Sequence, residues 1–140
     1  MSELVASRME RSTSWRVDGL VAVGAAGAAA VGWAAARAAG IDLVVMQGSG
    51  TTHVSLASAV AVALVAGIAG AVLLRLLERR ATWGLRVWTA VAGAVWLVSL
   101  TGPFGALTLS AGLVLAGLHC GVGAVVFFGL RYAHAPRRNA

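Results

Sequence analysis

A histidine and the chain's only cysteine stand side by side in Gly117-Leu118-His119-Cys120-Gly121, inside a long apolar run. An ionisable side chain in such a run is costly to keep without a partner, so His119 is the first candidate for function. In hydrocarbon an imidazole is expected to stay uncharged, with one nitrogen donating and the other accepting. Ser58, Thr89, Ser99, Thr101 or a backbone carbonyl on a neighbouring helix would serve as its partner. The plainest role is a hydrogen bond that fixes helix register, of about 0.5–2 kcal/mol. Ligand binding, a proton relay and haem ligation are the sharper alternatives. Bis-histidine haem would require His119 from a second chain, because His53 falls in a loop and His134 in the C-terminal tail. No other cofactor is expected. Cys120 has no basic neighbour in the sequence and is expected to act as a small, inert hydrophobe.

The second group with chemical potential is "LLRLLERR", residues 73–80, followed by Arg86. Arg75 and Glu78 are three apart and can meet on one helical face. Arg75 can instead snorkel toward headgroups, and with Arg79 and Arg80 it suits anionic lipid. On the far side of the chain Asp42 and His53 would make at most a weak ligand pair. The histidines, the cysteine and the five acidic residues are otherwise scattered, so neither a zinc centre nor another metal site is expected. There is no phosphate-binding Gly-rich loop, no GxSxG and no HExxH. Catalysis therefore has no visible constellation, and the leading reading is non-enzymatic.

These residues are carried by apolar segments. Only 11% of the 140 residues are charged, against the roughly 25% that covers a soluble domain. With a mean hydropathy of +0.86, the class implied is integral membrane, all-α. Four segments have about the 20-residue length that crosses a bilayer, at residues 17–36, 55–77, 83–101 and 108–130. They form one expected domain, an antiparallel four-helix bundle over 17–130, between tails at 1–16 and 131–140. The first segment and its "AAARAAG" end also fit a secretory signal, but its length favours an uncleaved helix. Between the first two spans, β-prone residues 41–46 and 51–56 flank Gly48-Ser49-Gly50, which suits a short hairpin cap or an irregular loop. Pro103 in "TGPFG" breaks the chain before the fourth span.

All eleven basic residues are arginine. Three lie in the N-terminal tail, four between Arg75 and Arg86 and three from Arg131 onward, leaving Arg37 alone in the other loops. This positive-inside pattern places both termini in the cytoplasm. It also accounts for the net charge of +6 without nucleic acid, which is not an expected partner. Helix association in lipid relies on small residues. Gly67 and Gly70 in the second span and the Gly117–Gly121 pair in the fourth are the expected packing positions, the pair reading as a contact within the bundle sooner than a dimer face.

Several strings together, "GIDL", "LLERR", "RVWT", "SLTGPF" and "LH", resemble an uncharacterised actinobacterial family of small four-helix membrane proteins, a domain of unknown function. The resemblance covers residues 40–130 and singles out Glu78, Arg86, Trp88, Ser99, Pro103 and His119; Cys120 lies outside its pattern. It implies a multi-pass protein of a bacterial plasma (inner) membrane and supplies no activity. The resulting expectation is a small membrane component that binds lipid, another membrane protein or a second copy of itself. A cofactor or small-ligand binder or enzyme using His119 is the alternative, and a small-solute or proton pathway the second.

Overall fold

The structure is a computed structural model that describes residues 2–135, with side chains described from Trp15 onward. The tail arginines beyond residue 135 and the side chains of Glu3, Arg8, Glu10 and Arg11 lie outside the described residues. Four long helices make up most of the chain: α1 (Ser2–Ala38), α2 (Leu56–Arg80), α3 (Gly84–Ser99) and α4 (Leu109–Ala133). All four, α3 counted with the following turn, are long and apolar enough to cross a membrane. α1 runs from the polar start of the chain into the first span without a break.

The sequence explains where the helices begin and turn. Ser55 caps α2 by accepting from the Ser58 amide at 3.1 Å, and Thr108 caps α4 from the Ala111 amide at 3.2 Å. Between α2 and α3 the chain reverses in three residues, and a Cβ on Gly84 would lie 2.6 Å from the Leu77 carbonyl oxygen. Only glycine allows that approach. Pro103 is buried in a short 3-10 turn, Gly102–Gly105, that joins α3 to α4.

The loop after α1 is a β-hairpin, β1 (Val44–Gln47) paired antiparallel with β2 (Gly50–His53). Gly48, at φ +61°, takes the first central position of its two-residue turn, as a type II′ turn requires. Val45 bridges to Ala106 on the other edge, so the hairpin lies over the α3–α4 connection at the same end.

Contacts along the helices establish an antiparallel bundle. In its middle α1 meets the middle of α2, with Gly67 against Ala22, and the later part of α4, with Gly129 against Val21. Near its end α1 meets the hairpin, the Trp33 indole donating to the Val54 carbonyl at 2.8 Å. Close approach at small residues holds α1, α2 and α4 together, including a centre of Ala25, Ala29 and Ala63. α3 is more peripheral: Trp88 is its one large side chain that is fully buried. Other apolar side chains, among them Leu20, Val23, Val65 and Leu113, are exposed, as lipid-facing positions would be.

Candidate functional site

Because α3 leans on α2 and α4 through few side chains, a cleft of about 780 Å³ remains between the three. Its floor is Trp88, whose indole donates to the Gly70 carbonyl at 2.8 Å and stacks on Phe127 at 5.9 Å between centroids. Its roof is the inner side of the hairpin. The walls are apolar, with Val62, Ala66, Val91, Val95, Val122 and Val126 among them. Depth follows from the helix rise: Ser58 and Leu73 both line it, so it runs roughly 22 Å along α2.

His119 stands in the α4 wall, half-buried. Its Nδ1 lies 2.8 Å from the carbonyl oxygen of Leu115, one turn back on the same helix. A carbonyl only accepts, so Nδ1 carries the hydrogen. The expected partner on a neighbouring helix is therefore replaced by one on its own helix. What ties α3 to α4 here is the backbone of His119, whose carbonyl accepts from the Trp96 indole at 3.1 Å. Trp96 reaches it over Gly123, where a Cβ would fall 2.1 Å from the indole nitrogen.

The other sequence candidates are distributed differently. Ser99 lines the cleft and donates to the Trp96 carbonyl at 2.7 Å, while Pro103 and Gly102 border it near the hairpin. Gly70 packs under Leu130 and Val126. Gly117 and Gly121 do not make the expected contact within the bundle: both are exposed and a Cβ at either would meet nothing within 4 Å. Cys120 likewise faces outward. The cause is rotational, since the face of α4 turned inward carries Leu115, Leu118, Val122 and Gly129 instead. Asp42 pairs with Arg37 at 3.0 Å, not with His53, and no group of metal-binding side chains occurs among the described residues.

At the opposite end from the hairpin lies a cluster that sequence reasoning missed. Asp18, on α1, is 3% exposed and accepts from Arg75 through Oδ2 at 2.6 Å. Its Oδ1 lies 2.9 Å from Nε2 of His134, the residue capping α4. Nδ1 of the same ring is 2.9 Å from Glu78. Carboxylates only accept, so the arrangement is complete when the ring carries both protons. Two negative and two positive groups then balance. Arg75 also stacks on Trp15, 4.1 Å from the ring centroid. Arg75 is turned toward Asp18, and Glu78 toward His134. Arg79, Arg80 and Arg86 are exposed around it. The overlooked signal was Asp18 itself, a carboxylate inside an apolar segment, which rarely survives without a partner.

Both features fall within one family match. The chain belongs to the Family of unknown function (DUF6069). The match covers residues 9–136, from before Asp18 to beyond His134. No curated protein and no solved structure matches the chain. The family fits the four apolar helices of a membrane protein and brings no activity with it.

Proposed function

We propose that this member of the family is a non-enzymatic, multi-pass protein of a bacterial plasma membrane that binds a lipid or another apolar molecule between α2, α3 and α4. The observation that carries this reading is the cleft. Its volume of about 780 Å³ falls in the roughly 300–1,000 Å³ range of small-molecule sites, and its walls are mainly apolar with a few polar groups. In a bilayer such a space is filled by a lipid chain or by a dedicated ligand. The arginine pattern supports an orientation with both termini in the cytoplasm and the hairpin outside.

Ala66 is exposed on the cleft wall, so Ala66→Trp fills the space without disturbing the core. Native mass spectrometry of the purified protein should find an apolar molecule retained by the wild type and depleted several-fold in Ala66→Trp. Equal retention, or no bound molecule in either, overturns the proposal.

A further inference from the structure

We propose that the occupant of the cleft is a neutral lipophile bearing a hydroxyl, which donates to Nε2 of His119. This rests on the reading of the cleft as a binding site and names the chemistry it selects.

The hydrogen-bonding inventory of the walls supports it. Both indole donors in the cleft are already used, Trp88 on the Gly70 carbonyl and Trp96 on the His119 carbonyl. The hydroxyl hydrogens of Ser99 and Ser58 are used on the Trp96 and Ser55 carbonyls. Nδ1 of His119 is used on Leu115. Apart from Gln47, Thr52 and His53 of the hairpin roof, the unspent capacity is therefore to accept, and the ring nitrogen left for it in the uncharged imidazole is Nε2. A group that donates completes the site; one that only accepts meets a lone pair.

Charge and size narrow the ligand further. None of the cleft-lining residues is an arginine, aspartate or glutamate, and its only ionisable groups are His53 and His119, so no permanently charged group awaits a charged head, which is expensive to bury at this depth. Beside Nε2 lies Gly102, where even a Cβ would come within 3.9 Å of the nitrogen. With no side chain at Gly102, the nitrogen stays open to a donor from the cleft. From His119 the apolar walls continue toward Phe127 for two further turns, roughly 12 Å, which suits a chain or a flat ring system.

The test measures equilibrium binding of radiolabelled 1-hexadecanol and its methyl ether to the full chain in phosphatidylcholine nanodiscs, with empty nanodiscs subtracted. Wild type should prefer the alcohol by about 3- to 10-fold, the range of one net hydrogen bond. His119→Phe keeps the ring's bulk without the lone pair; it should still bind both and lose the preference. In His119→Gln a terminal amide oxygen can accept in place of Nε2, and part of the preference should return. Equal binding of the two probes by wild type overturns the hydroxyl assignment. So does a preference that survives in His119→Phe. In either case the cleft still binds, and its reading stands. If neither probe binds wild type, both readings fall. Should His119→Phe not fold, the wild-type comparison of alcohol with ether decides.

Discussion

Asp18→Asn is the substitution that most directly tests how the bundle is tied together. The change is isosteric and removes one charge, so it leaves the shape of the site and alters its electrostatics. Asp18 is 3% exposed, and the side chains that point at it, Arg75 and His134, are 14% and 9% exposed. The amide oxygen can still accept from one of the two donors, while the other meets an NH2 group with little access to water. Breaking a buried pair in this way costs about 3–5 kcal/mol. At roughly 3 °C per kcal/mol for a chain of this size, Tm should fall by about 10–15 °C. Glu78, whose side chain is 34% exposed, provides the internal comparison: Glu78→Gln should cost no more than about 1 kcal/mol. Unfolding can be followed in detergent through tryptophan fluorescence, at a fixed scan rate. The double variant Asp18→Asn/Arg75→Gln should lose less than the two single losses added, by about 1–3 kcal/mol, because each partner is costly chiefly when left alone. A Tm for Asp18→Asn within about 2 °C of wild type would refute the buried-cluster argument. Strict additivity with Arg75→Gln would refute the direct pairing.

Two further expectations follow from the glycines and the hairpin. Gly123→Ala pushes the Trp96 indole off its seat, because the new Cβ would lie 2.1 Å from Nε1; thermal scans should show a loss of about 1–3 kcal/mol, whereas Gly117→Ala should leave Tm unchanged or slightly raised, and equal effects would reject the assigned helix rotation. In a Cys120→Ala background, Ser49→Cys at the hairpin turn should react with an impermeant maleimide on intact cells and Arg80→Cys only after permeabilisation. The opposite pattern would invert the proposed orientation.

The spans were legible because a bilayer imposes length and hydropathy on any helix that crosses it, and the hairpin because Gly48-Ser49-Gly50 sits between β-prone runs. The pairing of faces was not. A GxxxG spacing at Gly117 and Gly121 says that two small residues share a side of α4, not which way that side points. The contacts that orient α4 are made at Gly123 and Gly129 against Trp96 and Val21, and neither glycine is marked by a local motif. His119 was conspicuous as an intramembrane imidazole, but its own helix offers a carbonyl four residues back that no long-range pattern reveals. The charged cluster was hidden for the opposite reason. Asp18 and His134 are 116 residues apart, and the i,i+3 spacing of Arg75 and Glu78 draws attention to a nearer pairing than those with Asp18 and His134.

The two ends of the bundle divide the work of stability and access. The charged cluster joins α1, α2 and the end of α4, and the alanine and glycine contacts of α1 run along the same three helices. α3 takes no part in the cluster. It is held by Trp88 on Gly70 and Trp96 on His119, two indole bonds to backbone carbonyls, by Phe127 in contact with both rings, and by Arg131 donating to Thr89 at 3.3 Å. Moving α3 outward would strain these bonds while leaving the buried charges intact, so the cleft can widen at a cost far below that of opening the bundle. Because Trp96 grips the backbone of the residue whose ring faces the cleft, such a movement would be felt at His119 as well as at Phe127. A ligand that bridges His119 and the α3 wall would oppose it, which makes the loosely packed helix the one whose position a bound molecule is best placed to set.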